Sequence, residues 1–413
     1  MSILIRKPTY DDLLSCDKLA TLCFENTTDC RDEPLDFDKQ TPQSYGEKMK
    51  ARAADNTQRC CTNPLERYVA FDGDEAVAQV SRTPLSMRFD GNNVSCSGIG
   101  YVCTSPPYRR RGLIEQIMRR HLEDMTAEGV VLSHLYPFSE RFYGMFGYAL
   151  SRPLIAVTFD TSFINVDKEK WQGTFELFEG TNLEGFEQAY AAMPHYNLSL
   201  QRTSPDFLKL KDAQPWKNSK FGYLFRDNGG KPRGYLVFSK KNIDGQSTLD
   251  CDEFIFDNSD TFKALLKFVK TFASDYPRTK LLLPRELSEA RIVTDTVAAN
   301  YKRESLTSGM TRVVSPLAVL QKARYIGSGS ITIRITDKFL DKEYNISAEY
   351  TSGQATRVTN SDLPPDVTFD IAGFSQAITG VYDADTLEFL GYEGAAKYPS
   401  VFYKKPTFLS DYF

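Results

Sequence analysis

The order strand, strand, strand, helix, strand occurs twice along this chain at comparable spacing, and that repetition constrains the fold more than any other feature. In the first copy, residues 68–71 read as a strand that breaks at Asp72-Gly73-Asp74, with 76–81 as its neighbour. Asp90-Gly91-Asn92-Asn93 is a hairpin signal, because these residues tolerate the positive φ of a tight turn. A strand over 94–104 leads through Pro106-Pro107 into a helix on which Ile114, Ile117, Met118, His121, Leu122 and Met125 recur at i, i+3, i+4. Gly129 ends that helix, and 130–135 returns as a buried strand. Ahead of this copy lie a short strand over 2–6 and a helix from Thr9 to about residue 24; Thr9 suits its cap, and Asp11 and Asp12 sit at its positive end.

The second copy runs through 222–225, the turn Asp227-Asn228-Gly229-Gly230, 234–239, a strand over 249–256, a helix over 260–272 and a strand over 280–283. The last hundred or so residues do not repeat the pattern. A helix over 317–324 precedes strands at 330–336, 344–350 and 366–371, with short helices near 374–379 and 385–390. The fold class is therefore mixed α/β: tandem modules over 1–155 and 156–300, then a small α+β domain over 301–413. Length agrees, since 413 residues at roughly 150 per domain give two or three domains.

Composition closes several functional classes. A net charge of −4 carries no basic surplus for nucleic acid. No stretch approaches the ~18–20 apolar residues of a membrane span, and the first residues lack the apolar core of a signal peptide, so a cytoplasmic protein with no membrane partner is expected. Eight cysteines include no CxxC pair, and His121, His134 and His195 are scattered. Metal sites and Ser-His-Asp chemistry are disfavoured on that ground. His121 and His134 read as structural, one on the helix stripe and one at a strand end.

The stretch from Gly98 to Ile114 is the informative one. A strand through Val102, Cys103 and Thr104 gives way to a loop carrying Arg109, Arg110, Arg111 and Gly112, and a helix opens at Leu113 and Ile114. Helix N-terminal amides bind anions, and arginines add charge-assisted hydrogen bonds. Gly112 lets a pyrophosphate approach the backbone. The plain alternative is three solvated arginines on a loop. In the second copy the corresponding stretch is Phe256-Asp257-Asn258-Ser259-Asp260, whose aspartates repel a pyrophosphate, so one cofactor site per chain is expected.

Arg109-x-x-Gly112-x-Ile114 resembles the acyl-CoA pyrophosphate motif of the GNAT N-acetyltransferases, departing from it at Ile114, where a small residue is usual. Ser139-Glu140-Arg141-Phe142-Tyr143-Gly144-Met145-Phe146-Gly147-Tyr148 resembles a segment of the Eis-type (enhanced intracellular survival) members. Met310-Thr311-Arg312-Val313-Val314 with Pro316-Leu317-Ala318-Val319-Leu320 is similar to that type's linker into a sterol-carrier-like domain. The resemblance runs along the whole chain. It implies a GNAT domain that uses acetyl-CoA, a second GNAT-like domain without cofactor, a sterol-carrier-like domain and a homo-hexamer.

It also implies residue roles. Val102, Cys103, Thr104, Arg109 to Ile114 and Ser139 would contact the cofactor, Tyr143 would act as general acid, and the carboxylate of Phe413 would reach the site as base. Read without the family, Tyr143 is a core aromatic and Cys103 a small buried apolar residue. An α-carboxylate at about 3.3–3.7 needs burial before it serves as a base at neutral pH. Glu25 and Asp29 either contact a cationic amine or are solvated charges near a helix end. The expected activity is acetyl transfer to the amine of an aminoglycoside- or polyamine-like small molecule. A protein lysine acetyltransferase is the alternative, as is a hydrophobic-ligand-binding protein with a vestigial transferase module.

Overall fold

Among the described residues, the first 151 hold the strands β1 (Leu4–Arg6), β2 (Arg67–Asp72), β3 (Glu75–Phe89), β4 (Asn92–Thr104), β5 (Leu132–Leu135) and β6 (Ala149–Leu150). In this computed structural model, which describes residues 3–24, 37–54, 63–287 and 291–411, they form one sheet in the order β1-β2-β3-β4-β5, then Met310–Val313, then β6. Asp90 and Gly91 take φ of 49° and 84°, the paired positive angles of a two-residue hairpin, and so join β3 to β4. Helices α1 (Leu13–Cys23), α2 (Pro42–Ala54), α3 (Leu113–Ala127) and α4 (Glu140–Gly144) complete this part. The apolar stripe of α3 packs Leu113, Ile117, Met118, His121, Leu122 and Met125 into the core, while Ile114 stays half-buried.

Met310–Val313 differs from the expectation of a linker. It pairs antiparallel with β5 (Met310 with Leu135, Val313 with Leu132) and with β6 on its other edge. All four residues are buried, so the strand shows no in–out alternation by which its sequence would declare itself. The helix Pro316–Lys322 follows, then a four-stranded sheet ordered Gln354–Asn360, Lys342–Thr351, Gly329–Asp337, Val367–Asp370, and helices Ile371–Thr379 and Ala384–Phe389. Gln354–Asn360, an edge strand with mostly exposed side chains, is one that its polar sequence does not announce. Residues 309–404 and 1–151 together make one compact unit.

The second unit comprises 152–308 and 405–411. Lys302–Leu306 and residues 405–411, from the block expected as 301–413, belong to this unit. Its seven-stranded sheet runs Lys302–Leu306, Leu154–Asp160, Arg278–Leu283, Gln246–Phe256, Pro232–Ile243, Lys220–Arg226, Thr174–Leu177, with the helix Ser259–Lys270 packed through Leu265, Leu266 and Val269. Thr407 bridges Asn197, and Phe408 packs 5.8 Å from the ring of Tyr196. No helix among the described residues is long and apolar enough to cross a membrane.

Candidate active site

The site begins where two parallel strands part. β4 pairs with β5 only over Cys96–Ile99, yet on its other edge it follows β3 as far as Thr104. Its register against β3 shifts between Gln79 and Ser81, and opposite that shift Tyr101 takes φ of 49°, the mark of a bulge that bends the strand. The last residues of β4 therefore present a backbone edge that β5 does not pair, with no ladder partner there among the described residues. Val102, Cys103 and Thr104 from that edge line a cavity of about 700 Å³.

The loop below is built for an anion. Arg110 and Gly112 take left-handed backbone, at φ of 62° and 71°, which swings the chain from the turn Pro106–Tyr108 into α3. Gly112 is the cap residue of α3 and offers no side-chain acceptor, so the first amides of this helix are left for another partner. A Cβ on Gly112 would meet nothing within 4 Å, which means the space over the helix start is open. Arg109 Nε donates to Thr104 O (3.4 Å); Arg111 donates to Pro107 O (3.1 Å) and lies over the Tyr108 ring. Tyr108 is held by Asp72 Oδ2 at 2.7 Å. Arg110 is exposed and engages no described residue. Three guanidinium groups, an uncapped helix start and open space fit a diphosphate.

All of the predicted residues from Val102 to Thr104 and from Arg109 to Ile114 line this one cavity. Ser139 does not: it caps α4, accepting from Phe142 N at 3.3 Å. Tyr143 is not among the lining residues either; it is buried beside Phe138 and Phe142, which are (ring centroids 5.2 Å each), and Tyr148 (6.4 Å). Burial pushes its phenol well above the ordinary tyrosine range, and its hydroxyl makes no hydrogen bond among the described residues. The neighbouring Tyr148, pushed up to about 12 by burial, shares a hydrogen bond with Ser133 Oγ at 2.7 Å. Phe413, Glu25 and Asp29 lie outside the described residues.

Phe24, in the stretch that the resemblance places at the acceptor, lines the cavity, and sequence reasoning passed over several other lining residues: Cys23 at the end of α1, Glu115, the apolar wall of Phe138, Phe142, Met145 and Phe146, and Phe339. The Phe-rich segment after β5 was the available signal for the wall; Phe339 had none. His121 and His134 sit in the core, with His121 Nε2 donating to Val80 O (2.9 Å) and His134 Nδ1 against Thr311 Oγ1 (2.8 Å). The corresponding helix of the second unit is already satisfied: Asn258 Oδ1 accepts from the amides of Asp260 and Thr261, and Asp257 accepts from Thr261 Oγ1.

Residues 5–151 match the acetyltransferase (GNAT) domain family, and residues 317–397 match the sterol carrier protein domain family. An uncharacterized N-acetyltransferase of Streptomyces avermitilis is 21% identical over 300 residues, spanning 67% of this chain and 69% of that one. Among solved structures, a conserved protein of unknown function from Enterococcus faecalis V583, described as a probable N-acyltransferase, superposes with a TM-score of 0.80 at 21% identity over 100% of both chains. Eis1 from Mycobacterium abscessus does so at 0.76 and 15% identity, also over 100% of both. The chain carries a GNAT acetyltransferase domain and a sterol-carrier domain, and it is an N-acetyltransferase that takes its acetyl group from acetyl-CoA.

Proposed function

We propose that this enzyme is of the Eis type and acetylates the amino group of a cationic small molecule, aminoglycoside- or polyamine-like, by direct attack of the amine on the thioester. The observation that carries the reading is one cavity shared by the free edge of β4, the arginine loop and the wall of rings packed on Tyr143. Bound acetyl-CoA supplies an activated acyl group.

Arg109, Arg110, Arg111 and the first amides of α3 hold its diphosphate. Backbone amides along 102–104 polarise the acyl carbonyl, in the manner of an oxyanion hole. Tyr143 supplies the proton side of the reaction. A phenol raised by burial stays protonated and lies above an ordinary thiol at about 8.5, so it stabilises the departing sulfur chiefly by donating a hydrogen bond. The base in this proposal is Phe413, and with the Eis type goes a homo-hexamer, which sedimentation of the full chain tests.

The decisive experiment follows thiol release from acetyl-CoA with spermidine, several aminoglycosides and a lysine-rich peptide. Release with the small amines is the expected result. Release with the peptide alone assigns the enzyme to protein lysines instead. Silence across the panel, with acetyl-CoA bound, overturns the proposed acceptor class.

A further inference from the structure

The donor cavity is not made by the acetyltransferase domain alone. Phe339, in the turn after the strand Gly329–Asp337 of the sterol-carrier domain, is part of its lining. Its ring packs edge-on against Phe146 at 5.0 Å, and the guanidinium of Arg119 lies 4.8 Å from its centroid. The turn is preset. Asp337 accepts from Leu340 N (3.2 Å) with one oxygen and from buried Arg312 with the other, and Arg312 also donates to the carbonyl of Phe146. One buried cation therefore ties the Phe339 turn to the segment that closes the aromatic wall.

We infer that the sterol-carrier domain completes the donor site: Phe339, with Arg119 beside it, holds the 3′-phosphoadenosine end of acetyl-CoA. This rests on the acetyl-CoA assignment. With the diphosphate at the arginine loop and the thioester at the free edge of β4, what remains of the donor is a purine and a phosphate. Arg119 stands six residues into α3, about 9 Å along the helix from its start at 1.5 Å per residue, and so clear of the diphosphate position. A purine calls for an aromatic face, and a phosphate monoester calls for a guanidinium. The existing partner of Arg119 is Asp341 at 3.5 Å, a carboxylate 83% exposed and readily exchanged for a phosphate.

Calorimetric titration of the full chain with CoA and dephospho-CoA tests this, together with turnover of S-acetylpantetheine, which lacks the nucleotide. Phe339→Ala is expected to weaken CoA about tenfold while lowering kcat/KM for S-acetylpantetheine by much less, and Phe339→Tyr to restore affinity. Arg119→Gln is expected to bring the affinities for CoA and dephospho-CoA together. The inference is overturned if folded F339A binds CoA as the wild type does, or loses S-acetylpantetheine turnover in proportion to CoA affinity. Should F339A fail to fold, an unchanged CoA to dephospho-CoA ratio in R119Q overturns it. A wild-type chain that binds no CoA removes the acetyl-CoA assignment itself, a result separable from the others.

Discussion

Arg202 and Asp411 are separated by 209 residues in sequence, and a guanidinium nitrogen of one lies 2.7 Å from a carboxylate oxygen of the other. The same guanidinium pairs with buried Glu253, donates to Tyr235 at 3.0 Å and lies over the rings of Tyr190 and Phe207. Both carboxylates pair with this cation. Removing it takes a buried positive charge from beside two buried carboxylates, at a cost of about 3–5 kcal/mol. Arg202→Met is expected to lower the melting temperature of the second unit by roughly 10 °C, at 2–4 °C per kcal/mol. Asp411→Asn should cost less, because Arg202 retains Glu253. Calorimetric scans of the three proteins check the ranking.

Arg110 is the arginine of the loop with no described partner of its own, so its loss falls on the ligand alone. Arg110→Ala is expected to raise the Kd for CoA about tenfold at low salt, with the difference shrinking as ionic strength rises. Arg110→Gly should bind CoA equally poorly but melt higher than the alanine variant, since glycine adopts a φ of 62° without strain. Titration at two salt concentrations and a thermal melt of each variant settle both points.

Tyr143→Phe removes a hydroxyl that no described residue holds, and the ring contacts survive. Turnover is expected to fall about 100-fold with CoA affinity unchanged. Burial raises the folded pKa of this phenol, so the proton is retained across the ordinary working range and lost only at pH above the usual tyrosine value. The alkaline limb of the wild-type kcat profile should accordingly show no fall near pH 10 from this group, and stopped assays from pH 6 to 10.5 measure it.

His121 sets a pH limit on stability. Buried against the sheet, it is lowered from 6.5 to about 4, chiefly by desolvation, with the bond to Val80 O opposing the shift and Arg82 adding to it. Its Nδ1 is buried with no partner, so a second proton there finds nothing to bind. A lowered folded pKa contributes stability that is complete above pH 6.5 and is lost as pH falls towards 4, about 3 kcal/mol in all. Denaturant melts over that window should show the decline, and His121→Gln, which keeps a donor for Val80, should flatten it.

What the sequence discloses here is what neighbours in sequence decide. The α3 stripe, the Asp90-Gly91 turn and the arginine loop at a strand-to-helix junction are each set within a dozen or so residues, and all stand where their patterns place them. The segment Ser139 to Tyr148 is legible only as a resemblance, and the reason for its second glycine is remote. Gly147 has φ of 77°, and a Cβ there would collide with the Arg312 guanidinium and with Ile371. Phe339 was illegible for the same reason: nothing near it in sequence says that its ring meets Phe146. The strand Met310–Val313 was misread because complete burial erases the alternation that identifies strands.

That strand carries a lesson about biosynthesis. β5 lies next to β4 on one side and needs Met310–Val313 on the other, so a nascent chain that has reached only residue 151 holds every residue of the acetyltransferase domain and still leaves an edge of its sheet bare. Bare edges recruit other chains. The domain boundary drawn by family likeness is therefore not a boundary of folding. During translation the catalytic sheet has to wait, through the synthesis of the whole second unit up to Ser308, for the four residues that seal it. An expression fragment cut near 151 would inherit that exposed edge permanently.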